Sequence, residues 1–255
     1  MFVHPTRVYL AARDLIASGA SSAEVARTLH LPLGTVRVWR ARGSPRHDQL
    51  ASATPRWRPP DERSYSYLLA MYLGDGHITR CSAHGYFLRL SLDLQYEGII
   101  AEASSAMSVT LPRASIRRYR FDADRNTIVL QLSHPALPFA FPQLGRGAKH
   151  TRSIVLRGWQ HAITHRYPEA FLRGLIHSDG CRTVNRFSTR LPSGRVANYQ
   201  YVRYFFSNLS ADVRALFCEH CDLLGIRWTQ SNHRNISVSH RHSVAKLETI
   251  VGPKT

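Results

Sequence analysis

Two aspartates and a few lysines are the residues in this chain best placed to do chemistry. Asp75 closes the run LLAMYLGDG (Leu68 to Gly76), and Asp179 closes LRGLIHSDG (Leu172 to Gly180). Each acid ends an apolar stretch and is followed by glycine. Small residues stand four apart just before it, Ala70 and Gly74 in the first run and Gly174 and Ser178 in the second. Positions i and i+4 share a helix face, and a face of small residues lets two backbones approach closely. The spacing predicts two helices side by side with the acids at their C-terminal ends. The helix dipole is already negative there, and neighbouring carboxylates repel. The arrangement makes sense if cations sit between them. One apolar run ending in Asp-Gly is equally an ordinary core helix; two such runs 104 residues apart suggest a repeat.

Lysine occurs only at Lys149, Lys246 and Lys254, although the chain carries 34 Lys and Arg. Lys149 lies 74 residues after Asp75, and Lys254 lies 75 after Asp179. In a chain that otherwise uses arginine, this matched placement argues for a task arginine cannot fill. Lysine is a compact charge whose pKa can move.

The elements that must position these residues repeat. A helix is expected over 64–76, a hairpin over 77–80 and 86–94, a helix over 96–107, a hairpin over 115–121 and 126–132 across the turn Asp122 to Arg125, and a helical piece over 135–144. The order restarts with a helix over 168–178 and strands over 181–189 and 199–206 around a long loop holding Ser193-Gly194. A helix over 211–224, short strands over 226–230 and 235–239 and a last helix over 243–251 follow. Leu88, Leu90, Leu92 and Leu94 alternate with polar residues, the period of a half-buried strand. Each half reads αββαββα, an internal duplication of class α+β.

Ahead of it, residues 5–43 read as three helices. The apolar set is Val25, Ala26, Leu29, Leu31, Val36 and Trp39, with a partial capping box at Ser21-Ser22 and His30 at the turn. Residues 44–62, rich in Pro, Ser and Arg, read as a linker. The domains are therefore 1–45, a linker over 46–63, and 64–255, with repeats of about 64–150 and 151–255.

The net charge of +17 points to a polyanion, most plausibly nucleic acid; the bland reading is a generically basic surface. Four scattered cysteines form no disulfide framework, and Cys218-Glu219-His220-Cys221 is read as helix packing rather than a zinc site. The sequence offers no secretory leader and no bilayer-length apolar run, so a cytoplasmic, nucleoid-associated protein is expected.

The two nine-residue runs resemble the signature of the LAGLIDADG homing endonucleases, in their two-motif single-chain form, over about Ser64 to the C-terminus. The resemblance implies two saddle-shaped antiparallel sheets straddling double-stranded DNA, in a monomer that is an internal pseudo-dimer. It implies Mg²⁺ or another divalent cation on Asp75 and Asp179, with backbone carbonyls at Gly74 and Ser178 and DNA phosphates completing the shell. It gives Lys149 and Lys254 the role of basic residues beside the scissile phosphate. His77, His134, His150 and His177 lie near this site, with His177 expected to face away from the helix seam.

The first domain is similar to the helix-turn-helix of resolvases and transposases, which makes Thr35, Arg37, Arg40 and Arg42 its candidate groove contacts. A small protein-binding module is the alternative. On the strands the candidate DNA contacts are Arg89, Arg117, Arg118, Arg120, Arg186, Arg190, Arg195 and Arg203, and the alternation in SIRRYRF leaves open which of its arginines face DNA. Two functions follow: a metal-dependent, sequence-specific DNA endonuclease, or a non-cleaving bacterial transcriptional regulator on the same fold. RNA splicing is a weaker third.

Overall fold

The computed structural model describes residues 6–43, 57–80, 85–120 and 126–252. The chain divides into two compact units, Met1–Arg56 and Trp57–Thr255. In the first, α1 (Thr6–Ala17), α2 (Ser22–Thr28) and α3 (Leu33–Arg42) enclose Ala12, Val25, Ala26, Leu31 and Val36. Tyr9 meets Trp39 edge-on at 5.2 Å. The capping box of α2 is complete rather than partial. Ser21 is the N-cap, which puts Glu24 at the third helical position; Ser21 N donates to Glu24 Oε2 (2.7 Å) and Glu24 N to Ser21 Oγ (3.2 Å). His30 turns the chain into α3 with φ 51°.

The second unit runs α4 (Glu62–Gly74), β1 (Gly76–Arg80), β2 (Tyr86–Asp93), α5 (Glu97–Thr110), β3 (Ile116–Tyr119), β4 (Thr127–Ser133) and α6 (Leu137–Ala140). After a 3₁₀ turn at Lys149–Thr151 and α7 (Gly158–Arg166), it repeats as α8 (Pro168–Asp179), β5 (Gly180–Arg190), β6 (Val196–Ser207), α9 (Ala211–Leu223), β7 (Thr229–Gln230), β8 (Asn235–Val238) and α10 (Arg241–Val251). The sheets have matching antiparallel orders, β1-β2-β4-β3 and β5-β6-β8-β7. The αββαββα order expected of each half is the one observed. Phe121 and the turn Asp122–Arg125 lie outside the described residues.

α4 starts before Ser64 because Asp61 caps it, accepting from Ser64 N at 2.6 Å. Trp57 packs against Tyr65 and Trp159, so the end of the expected linker belongs to this unit. Residues Tyr65 to Leu73 of α4 are all buried, as a helix at the centre of a domain requires. α7 answers no expected element. Its buried face is Gln160, Ile163 and Thr164, so it shows no apolar period. Gln160 is held by Tyr65 and Gln143: its Nε2 donates to Tyr65 Oη at 2.7 Å, and its Oε1 accepts from Gln143 Nε2 at 2.6 Å. The loop expected between β5 and β6 is a tight turn instead. Gly194 (φ 80°) closes it, Gly194 N donates to Leu191 O, and the strands pair from Gly180↔Phe206 out to Arg190↔Val196.

Candidate functional site

α4 and α8 pack through the small residues that flag the motifs. A Cβ on Gly74 would stand 2.2 Å from Ser178 Oγ, and one on Gly174 would stand 2.5 Å from Tyr67 O and 2.7 Å from Ala70 Cβ. Position 74 meets 178 and position 70 meets 174, so equivalent residues of the two halves touch, as a pseudo-twofold axis requires. The glycine after each acid has its own cause. There the chain turns back over its own helix, and a Cβ on Gly76 would come within 2.4 Å of Tyr72 Cα, one on Gly180 within 2.6 Å of Ile176 Cα.

Asp75 is the C-cap of α4 and Asp179 the last residue of α8. Asp179 opens onto a cleft of about 390 Å³ whose walls also include Gly74, His77, Lys149, His150, Arg152 and Asn208. Lys149 enters it from the 3₁₀ turn. Its ammonium donates to the carbonyls of Tyr72 (2.6 Å), Gly74 (2.6 Å) and Gly76 (2.9 Å), and sits 5.3 Å from the Tyr72 ring centroid. Helix C-termini leave carbonyls unsatisfied and concentrate negative potential, so a tethered cation stabilises this end. Burial pushes the Lys149 ammonium down to about 8, against the pull of Asp179 and Asp75.

The expected metal ligand at Gly74 thus has a prior commitment, since its carbonyl already accepts from Lys149. One lone pair remains, because a carbonyl oxygen offers two. The Ser178 hydroxyl is folded back onto Gly174 O and Leu175 O. Asp179 Oδ2 accepts from Asn208 Nδ2 at 2.6 Å. Lys254 lies outside the described residues. His177 does not turn away from the seam: it is buried, its Nδ1 lies 2.9 Å from Tyr67 Oη on α4, and its Nε2 lies 3.3 Å from Val251 O. The long Tyr67 side chain reaches it across the helix pair.

Strand register sorts the arginines. Paired residues in antiparallel strands share a face. Leu88, Leu90 and Leu92 face the core, so Arg89, its partner Gln131, and Arg117 lie on the outer face of the first sheet. Gln131 Oε1 accepts from Arg89 Nε (2.6 Å) and from Tyr119 Oη (3.0 Å), which fixes that guanidinium. Arg118 has the opposite parity and forms an exposed pair with Glu97 on α5 at 3.4 Å, on the helical side of the sheet. Arg120 follows β3 and is exposed.

In the second sheet Tyr204 and Phe206 face the core, which places Arg203 on the outer face, over Phe205 at 4.4 Å. Arg186 and Arg190 pair with Gln200 and Val196, and so share the parity of Tyr204, not of Arg203. In the first unit, Arg37 and Arg42 are exposed on α3 and Thr35 is half-buried. Arg40 is committed internally: its Nε donates to Ser22 Oγ at 2.9 Å and its Nη2 to Ala20 O, tying α3 to the start of α2.

No family model matches the chain, and no curated protein matches it. Among solved structures it is similar to the LAGLIDADG meganuclease I-AabMI bound to uncleaved DNA (11% identity, 73% of this chain and 82% of that one, TM-score 0.46). It is also similar to I-DmoI in complex with DNA and Mn (15%, 75% and 98%, TM-score 0.47) and to the homing endonuclease I-WcaI bound to its DNA recognition sequence (10%, 84% and 90%, TM-score 0.45).

Two features of the site escaped the sequence. Asn208 orients Asp179, but the register that pairs Gly76 with Leu90 and Gly180 with Phe206 sets it against Leu92, a core residue. Comparing the repeats could not flag it. The outer face of the long hairpin carries exposed Phe187, Tyr199 and Tyr201, with Phe187 stacked on Tyr199 at 5.2 Å. Their alternation with polar residues was the available signal.

Proposed function

We propose that this chain binds double-stranded DNA and hydrolyses its phosphodiester bonds at the Asp75–Asp179 cleft with a divalent cation. The observation that carries the reading is that two touching helices each end in a carboxylate, with a lysine ammonium close enough to feel both. The donor set is all oxygen: two carboxylates and the carbonyls at Gly74 and Ser178. This suits Mg²⁺, which prefers hard ligands and shares its shell with substrate phosphates. Lys149's ammonium already rests on the α4 carbonyls, which supports the fit of positive charge at this end.

Asp75 and Asp179 would hold the cation, which when bound supplies Lewis acidity to the phosphate and lowers the pKa of an attacking water. The chain's own groups do the rest. Asn208 orients the Asp179 carboxylate, and Lys149 keeps positive charge beside the phosphate. Arg89, Arg117 and Arg203, with Tyr199 and Tyr201, offer guanidinium and aromatic contacts on the outer faces of the sheets. The three-helix unit adds a second DNA contact through Arg37 and Arg42, in the manner of a helix-turn-helix. Among the described residues no helix is long and apolar enough to cross a membrane.

One observation favours a second reading, a DNA-binding regulator that does not cut. The Lys149 ammonium already engages the Gly74 carbonyl, one of the oxygens a cation would need. A single experiment separates the two. A randomised double-stranded DNA library is incubated with the full chain in Mg²⁺, in Ca²⁺ and in EDTA. The nuclease reading expects cleavage in Mg²⁺ alone, abolished by Asp75→Asn or Asp179→Asn. Salt-sensitive binding without cleavage in any divalent metal would leave the regulator.

A further inference from the structure

Away from the cleft, α7 and α9 bring two histidines and a glutamate together. His161 and His165 are one helical turn apart on α7, so their rings rise from one face. Glu219 of α9 reaches both: its Oε1 lies 2.7 Å from His165 Nε2 and 3.9 Å from His161 Nδ1. One ligand atom from each residue lies within 4.8 Å of the others, the one His/Cys/Asp/Glu group among the described residues that meets this test. We propose that His161, His165 and Glu219 form a zinc-class metal site that pins α7 to α9.

The chemistry selects the ion. Two imidazoles and one carboxylate suit zinc and similar borderline cations, whereas Mg²⁺ prefers oxygen alone. With metal–ligand bonds of about 2.0–2.1 Å, tetrahedral ligands stand about 3.3 Å apart. The 2.7 Å separation must open and the 3.9 Å one close, each by about 0.6 Å, which side-chain torsions supply. The ion takes the place of the proton between His165 and Glu219. All three side chains are roughly two-fifths exposed, which gives the ion a path in and leaves a water for the fourth position, as in three-ligand zinc sites.

α9, which carries Glu219, lies on the protein side of the second sheet. Phe217 of α9 stacks on Phe206 at 4.5 Å, on the face of β6 opposite Arg203. The site therefore stands apart from the outer strand face. α7 gains most from such a tie, because its buried face is largely polar. The neighbouring C-x-x-C does not compete: neither Cys218 nor Cys221 belongs to the group whose ligand atoms come together, and Cys221 is fully buried.

The test uses the full chain, EDTA-stripped, in an Asp75→Asn/Asp179→Asn background so that the cleft adds no second equivalent. Titration with ZnCl₂ should give one bound ion. The unfolding temperature should rise by about 5–10 °C at a hundredfold excess over Kd. Co²⁺ should show the visible bands of a tetrahedral ion without thiolate charge transfer in the near ultraviolet. His161→Ala/His165→Ala should weaken binding at least a hundredfold and Glu219→Gln about tenfold, with far-ultraviolet circular dichroism unchanged, while Cys218→Ser leaves Kd as it was. Absence of zinc binding, binding that survives the double histidine variant, or binding lost in Cys218→Ser would each overturn the site.

Discussion

Leu69 and Arg173 occupy equivalent places in the two central helices, and so do Leu73 and His177. In the first half both are apolar and fully buried; in the second both are polar. Arg173 pairs with Glu102 through two bonds of 2.7 and 2.8 Å and donates to Ile250 O and Val251 O at the end of α10. The first half does the same job elsewhere: Tyr65 of α4 donates to Ala140 O, at the end of α6, at 2.6 Å. In each half the central helix satisfies a terminal carbonyl of the half's last helix, once with a phenol and once with a guanidinium. The two halves thus agree where backbones touch, at Ala70/Gly174 and Gly74/Ser178, and diverge where a side chain need only supply a donor. Close approach constrains residue type far more tightly than hydrogen bonding does.

The seam should therefore break most easily. Gly174→Ala gains about 1 kcal/mol of helix propensity but drives a methyl to 2.5 Å from a backbone oxygen that cannot move aside. A net loss of about 3 kcal/mol or more is expected in urea unfolding. Gly74→Ala meets side chains alone, Ser178 Oγ at 2.2 Å first and Asp179 Oδ2 at 3.0 Å after it. Adding Ser178→Gly should restore most of its loss, whereas Ala70→Gly should rescue Gly174→Ala only in part. Equal rescue of both would contradict the different obstacles at the two crossings.

The Arg173 cluster comes next. Its charges are about one-third exposed, so the loss sits between a surface pair and a buried one. Arg173→Leu, which copies the first half, should cost about 2 kcal/mol by removing the guanidinium that holds Glu102 and Ile250 O. Arg173→Leu/Glu102→Leu should recover part of that. A double variant less stable than the single one would show that Glu102 has its own role.

These contrasts also explain what the sequence could disclose. The motif runs, the Asp-Gly ends and the leucine alternation of β2 were legible because burial and close packing leave strong periods. α7 was silent because Gln160 and Thr164 fill its buried face, and the capping box read as partial until Ser21 rather than Ser22 proved to be the cap. Arg40 and Arg118 read as free guanidiniums because composition does not show the partners each has in the fold, Ser22 and Glu97. Lys149 stood out by rarity and by an offset from its acid that Lys254 matches; its seat on three carbonyls depends on a turn no pattern announces. Lys246 shows the same preference, donating to Leu224 O at the end of α9 at 2.7 Å.

Asn208→Leu sharpens the comparison at the site by giving the second half the residue of Leu92. The Asp179 carboxylate would lose its 2.6 Å partner. A bond to a charged acceptor is worth about 1.5–3 kcal/mol, partly replaced here by water, so Mg²⁺-dependent cleavage should fall about tenfold with binding unchanged. Unaltered cleavage would mean that the acid needs no orienting neighbour, as its register-mate in the first half has none at Leu92.

The last comparison tests the cation on α4. Burial, with Arg152 nearby, drives the Lys149 proton off while the Asp179 and Asp75 carboxylates hold it on, and burial prevails to leave the group at about 8. Its value is then lower in the folded chain than the ordinary 10.4 or so of the unfolded one. Between those values the unfolded chain binds more protons, so this group's contribution to stability rises with pH from about 8 to about 10.5 and is flat below. Urea unfolding of the full chain against Lys149→Met over that interval should show the native chain gaining by up to roughly 3 kcal/mol. A gain in the opposite direction would mean that the α4 carbonyls bind the ammonium more strongly than burial opposes it. The end of α4 would then be a cation site in its own right, already filled by the chain.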